Sequence, residues 1–162
     1  ANAGILGTLG PLQSIRPRSF EETIEVNLTA NWRLIRSLAP LLLASPSGRA
    51  VFVTSGVVPR PRAFWGAYQA SKAGLESLVQ AFAEENEKSA LRVNLFDPGA
   101  TRTQMRAMAM PGEDPMTRML SPAVRAERHP FLWAISRMSL WITSSKVRSI
   151  DTLWRLRWQN SV

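Results

Sequence analysis

The stretch Ser55–Lys72 reads SGVVPRPRAFWGAYQASK and decides how the rest of the chain is read. It holds the protein's single tyrosine, Tyr68, with Lys72 four residues later and Ser55 thirteen residues earlier. Gly66 and the small residues Ala67, Ala70, Ser71 and Ala73 predict a helix that runs on through Leu75, Leu78, Val79 and Phe82 to about Lys88. On a helix, positions i and i+4 share a face, so a phenol and an ammonium can enter one pocket. A phenol ionises near pH 10 and is a poor proton carrier at neutral pH; a neighbouring cation is expected to lower that value toward the useful range. A serine hydroxyl at a nearby strand end can hold a carbonyl oxygen while the phenol exchanges its proton. The same spacing also occurs on ordinary solvated helices, so these residues do not carry a function alone.

Outward from this stretch the grammar is α/β. Ala50–Ser55 (AVFVTS) reads as a short buried strand, and Arg92–Asp97 (RVNLFD) as the next, closed by Pro98 and Gly99. The strand–helix–strand order predicts a parallel pair with a right-handed helical crossover. Ligand sites in such sheets lie beyond the carboxyl ends of the strands, where Ser55 and the segment Pro98–Thr103 fall. Upstream, Phe20, Ile24, Leu28, Ile35, Leu38 and Leu42 form a helical stripe, with Ser19 and Glu22 at capping-box spacing. Pro40 is expected to end or kink that helix, and Ser45–Gly48 to turn the chain. Asn27 and Asn31 fall inside it, where asparagine has little intrinsic reason to be; from residue type alone both read as a solvated polar face. Gly4, Gly7 and Gly10 are not read as a phosphate loop, because no strand precedes them and Pro11 follows; a plain loop is expected.

The 162 residues suit one domain with a core, and no apolar run of membrane-spanning length appears. The lack of a charged-then-apolar leader argues against secretion. The absence of cysteine excludes disulfides and thiolate metal sites, and a single histidine, His129, argues against a histidine metal centre; no metal is expected. The reading is cytoplasmic. Net charge is +8, of which residues 1–99 carry +2 and residues 100–162 carry +6. A basic pole suits nucleic acid or an anionic membrane, but here it coincides with a change of texture after Thr117. Residues 118–162 hold four of the six tryptophans, eight Lys/Arg and two acids, without domain grammar, much as an out-of-frame translation reads. Two domains are therefore expected, 1–117 and a basic Trp/Arg-rich tail, 118–162.

Five separated motifs, in order, resemble the short-chain dehydrogenase/reductase family: NAG at Asn2–Gly4, VNLTA around Asn27, TSG at Thr54–Gly56, YQASK at Tyr68–Lys72 and PGATRT at Pro98–Thr103. The resemblance implies a Rossmann-type doubly wound α/β fold and hydride transfer between NAD or NADP and a small carbonyl or alcohol substrate. It implies that Tyr68 is the general acid/base, that Lys72 lowers its pKa and holds the nicotinamide ribose, and that Ser55 orients the substrate oxygen. Asn27 would hold a water behind the lysine. Asn2, Ala3 and Gly4 would lie beside the adenosine ribose, and Pro98, Gly99, Thr101 and Thr103 on the nicotinamide side. The family's TGxxxGxG cofactor loop does not occur in these residues, so the expected fold is an incomplete Rossmann domain with remnant parallel strands, weakly active or inactive. Homo-oligomerisation is implied through the helices at 19–43 and 66–88. The alternatives are a non-catalytic dimerisation remnant, or a membrane or nucleic-acid binder acting through the tail; neither of those partners is the expected one.

Overall fold

In a computed structural model of the chain, the described residues are 1–114 and 116. They fall into two compact units, residues 1–97 and the segment from Pro98 on. The expected tail, 118–162, with His129, lies outside the described residues.

In the first unit a helix starts at Pro17, α1 (Pro17–Ile24), widens to a π-helical turn over Glu25–Thr29, and continues as α2 (Ala30–Ala44). One expectation is corrected here and another is narrowed. Ser19 does not cap the helix: Pro17, whose fixed φ and missing N–H suit the first turn, begins it earlier, with Arg16 as an N-cap that offers no side-chain bond. Ser19 Oγ instead meets Thr8 Oγ1 at 2.8 Å. Nor does Pro40 end the helix, which runs to Ala44. Pro40 and Arg36 are both exposed, so water can satisfy the Arg36 carbonyl that the proline leaves unbonded.

Strand β1 (Arg49–Val53) lies parallel to β2 (Arg92–Phe96), with Arg49 opposite Arg92 and Val53 opposite Phe96. Between them runs α3 (Gly66–Glu85), the expected helix, three residues shorter at its end. Its positions Leu75, Val79 and Phe82, at helical spacing, pack with Phe52, Leu91, Val93 and Leu95 into one core, which Leu28, Ile35, Ala39 and Leu42 of the first helix close. The core fixes α3 across the strand pair, and thereby fixes which α3 residues face the carboxyl end of β1.

Residues 1–10 form no regular element, as expected of the glycine-rich start. They are nonetheless held. Val53 N–H donates to the Ala1 carbonyl at 3.0 Å, and Gly10 N–H to the Phe64 carbonyl at 2.9 Å. Gly7 adopts φ +68°, and a Cβ there would lie 2.2 Å from Thr23 Oγ1. Its glycine therefore serves close packing on α1.

In the second unit, Gly99 also has a positive φ of 68°, which allows a tight turn after Pro98. The short helix α4 (Gln104–Ala109) is capped by Thr103, whose hydroxyl accepts from Arg106 N–H at 3.1 Å. The Arg106 guanidinium grips Glu113 through two bonds of 2.6 and 2.8 Å.

Candidate active site

Two α3 side chains, Tyr68 and Lys72, meet Ser55 at the tip of β1. Tyr68 and Lys72 lie one turn apart on the inner face of α3, 8% and 4% exposed. The Ser55 hydroxyl, two residues past the end of β1, lies beside the Tyr68 phenol, near enough to pull its pKa down. Lys72 Nζ donates to the Val53 carbonyl at 2.8 Å and sits 5.9 Å from the centre of the Tyr68 ring. Trp65 packs edge-on against that ring, centroids 5.9 Å apart. The structure brings Ser55, Tyr68 and Lys72 together at the tip of β1.

The electrostatics differ from the expectation. The Tyr68 phenol is pushed above its ordinary pKa, first by burial, which disfavours phenolate. The Ser55 hydroxyl pulls it down, and the Asp97 carboxylate at the end of β2 pushes it up again. Burial likewise lowers the Lys72 pKa, because an ammonium loses hydration. Both groups are thus biased toward their neutral forms. Burial sets the direction of both shifts, which helical spacing cannot reveal.

Asn27 lies in the π-helical turn and is fully buried, as is Asn31 at 4% exposure, so the solvated-face reading of both is corrected. Asn27 Oδ1 accepts from Ile5 N–H at 2.8 Å, and its Nδ2 donates to the Ile5 carbonyl at 2.9 Å and to Ser71 Oγ at 2.9 Å. The side chain imitates a strand partner for the amino-terminal segment. Ser71 in turn donates to the Tyr68 carbonyl at 2.7 Å, and Asn31 Nδ2 donates to the Asn27 carbonyl at 2.8 Å. The wider turn makes room for this buried amide, as single π turns often do at functional sites.

Gly4 belongs to the same cluster. A Cβ on it would lie 3.2 Å from Asn27 Oδ1 and 3.6 Å from Lys72 Nζ, whereas Asn2 and Ala3 are exposed. Pro98, Gly99, Thr101 and Thr103 belong to the second unit. There Thr101 is buried, and its hydroxyl reaches the Pro98 and Gly99 carbonyls at 3.2 and 3.3 Å. Sequence reasoning missed Thr54 and Glu76, whose side chains bond to each other beside the site. Glu76 follows Lys72 by one helical turn, a signal that was available. Among the described residues no cluster of three His, Cys, Asp or Glu is placed to hold a metal ion, and no helix is long and apolar enough to cross a membrane.

The residues present fit a nicotinamide dinucleotide's sugar. Among the described residues the Lys72 ammonium makes one hydrogen bond, leaving two of its three donors, and Gly4 keeps the approach to it free of a side chain. A ribose diol offers two acceptors to such a group.

The chain thus gathers tyrosine, lysine and serine at the carboxyl end of a parallel strand in an α/β unit. Residues 1–114 match the short chain dehydrogenase family, and the chain belongs to it. It is 44% identical over 122 residues to the oxidoreductase YciK of Escherichia coli K12, covering 75% of this chain and 48% of that protein. A short chain dehydrogenase from Escherichia coli CFT073, solved with NADPH, superposes with a TM-score of 0.74 at 42% identity, covering 82% of this chain and 53% of that one. One from Shigella flexneri 2a, solved with NADP, gives a TM-score of 0.70 at 43% identity, covering 74% and 49%. The chain spans about half the length of the relatives it matches.

Proposed function

We propose that these residues form the proton-transfer half of an NAD(P)-dependent oxidoreductase acting on a small carbonyl or alcohol. The observation that carries the reading is the meeting of Ser55, Tyr68 and Lys72 at one strand tip. The bound dinucleotide supplies the hydride. Lys72 holds the nicotinamide ribose through its two remaining N–H donors. Ser55 donates to the substrate oxygen, and Tyr68, held in its neutral form, gives its proton to that oxygen in reduction and recovers it in oxidation. Asn27 spends both amide hydrogens on Ile5 and Ser71. A water behind Lys72 would therefore be held by oxygens, chiefly the second lone pair of Asn27 Oδ1. Asn2, Ala3 and Gly4 serve the adenosine side of the cofactor. The NADP- and NADPH-bound relatives favour a nicotinamide cofactor without choosing its phosphorylation state here.

The domain reading is that residues 1–117 carry this function and 118–162 do not. The 162 residues by themselves are proposed to hold the dinucleotide weakly, because the two strands among the described residues make little of a switch-point crevice. Self-association is a second part of the proposal. Leu34, Leu38 and Leu41 are exposed at helical spacing on α2, and the outer face of α3 offers the small residues Ala70, Ala73, Ser77 and Ala81. The helices at 19–43 and 66–88 would meet a second copy there.

Titrating NADPH and NADH into the chain, with nicotinamide fluorescence as the readout, tests the cofactor reading. Binding weaker than micromolar that is lost in Lys72→Met supports it. Equal binding by both chains, or none by either at millimolar cofactor, overturns it.

A further inference from the structure

Three consecutive residues at the tip of β1 are each tied to α3. The Val53 carbonyl accepts from Lys72, Thr54 Oγ1 donates to Glu76 Oε1, and the Ser55 hydroxyl meets the Tyr68 phenol. The α3 partners Tyr68, Lys72 and Glu76 succeed one another by single helical turns, so they line one face. The mechanism above uses two of these ties and leaves the third without a role.

That third tie has the better position for control. Thr54 is buried at 8% exposure, and its backbone N–H is already committed to the Phe96 carbonyl of β2 at 2.9 Å. Its side chain is committed to α3. The residue immediately before Ser55 is thus fixed from both neighbouring elements, by a charge-assisted bond on the helix side. The residue after the tie begins a turn, with Val58 N–H donating to the Ser55 carbonyl at 3.1 Å. With Thr54 clamped below and the turn above, the hydroxyl of Ser55 has little left to vary besides its own rotamer. We propose that Glu76, acting through Thr54, is a positioning residue that holds the Ser55 hydroxyl on Tyr68. The inference rests on the reading of Tyr68 as the proton carrier, but its test needs no turnover.

The sign of the effect separates positioning from simple electrostatics. The charged groups facing Tyr68 are Lys72 on its own helix and Asp97 at the end of β2, with the Ala1 ammonium acting on Lys72, and Glu76 stands two helical turns along α3. If Glu76 acted only as a negative charge, removing it would favour phenolate and make Tyr68 more acidic. If it acts by holding Ser55, removing it takes a hydrogen bond from the phenolate and makes Tyr68 less acidic.

Tyr68 is the chain's only tyrosine, so protein labelled with 13C at tyrosine Cζ gives one resonance whose shift with pH titrates this phenol. The titration midpoint is expected to rise by about half a unit to one unit in Glu76→Ala and in Thr54→Val. Ser55→Ala rises at least as far, and Ser55→Ala combined with Glu76→Ala rises no further than Ser55→Ala alone. Glu76→Gln keeps an acceptor oxygen and Thr54→Ser keeps the hydroxyl, so neither raises the midpoint. A fall or no change in Glu76→Ala and Thr54→Val overturns the proposal, as does a rise in Glu76→Gln equal to that in Glu76→Ala. Should Glu76→Ala fail to fold, the near-isosteric Thr54→Val decides alone. Failure of the cofactor titration would remove the oxidoreductase reading and leave these midpoints as they are, so the two failures are distinguishable.

Discussion

Replacing Asn27 by alanine probes the node on which the amino-terminal segment, the first helix and α3 converge. The side chain is fully buried and makes three hydrogen bonds, to both backbone groups of Ile5 and to Ser71 Oγ. Each contributes a net of about 1 kcal/mol, and stranding the Ile5 backbone groups keeps the loss from being smaller. Asn27→Ala is therefore expected to destabilise the fold by about 3 kcal/mol, a large part of a domain's usual margin of roughly 5–15 kcal/mol. Asn31→Ala, which loses a single bond to the Asn27 carbonyl, should cost about 1 kcal/mol. Urea unfolding followed by far-ultraviolet circular dichroism measures both. With a slope of about 2 kcal/mol per molar, the Asn27 midpoint falls by roughly 1.5 M and the Asn31 midpoint by about a third of that. Amide exchange at Ile5 should quicken in the first variant and not in the second. An Asn27→Ala midpoint no lower than that of Asn31→Ala would refute the reasoning, since the buried amide would then not be the node.

Other outcomes follow from the same geometry. The folded Tyr68 pKa is raised, so its contribution is complete below the unfolded value of about 10 and is lost as pH climbs through the folded one. The folded Lys72 pKa is lowered, so stability grows as pH rises from the folded value toward the unfolded value of about 10.4. The two slopes oppose each other. Lys72→Met should therefore lose more stability than the parent between about pH 9 and 11, and Tyr68→Phe should gain relative to it, both read from urea midpoints across that range. Gly7→Ala must accept φ +68° and a Cβ 2.2 Å from Thr23 Oγ1, so a cost of at least about 1–2 kcal/mol in thermal or urea unfolding is expected. Gly10→Ala, where a Cβ would meet nothing within 4 Å, serves as the neutral control.

Much of the first unit was legible in the sequence. The β-branched run Ala50–Ser55 and the run Arg92–Asp97 gave the strands, which are observed to end at Val53 and Phe96, and the spacing of Leu75, Val79 and Phe82 gave the buried face of α3. Ser55, Tyr68 and Lys72 were legible because chemistry and helical spacing agreed there. What escaped the reading depended on partners far away in sequence. Asn27 looks like a surface residue until Ile5, 22 positions earlier, arrives as its strand-like partner. Glu76 needs Thr54, also 22 positions away. The capping box failed for a local reason: Pro17 competed for the same helix start and won by starting it earlier. The direction of the Tyr68 shift failed because burial is a property of the packed core rather than of residue spacing.

Proton transfer by Tyr68 is the claim on which the functional account depends. The most direct measurement is the rate of NADPH consumption with a panel of aliphatic and aromatic ketones at pH 7, at high protein concentration, for the parent chain and for Tyr68→Phe. The account predicts a loss of roughly a hundredfold or more in kcat with KM little changed, as removal of a positioned acid does. Turnover in Tyr68→Phe within threefold of the parent would contradict it.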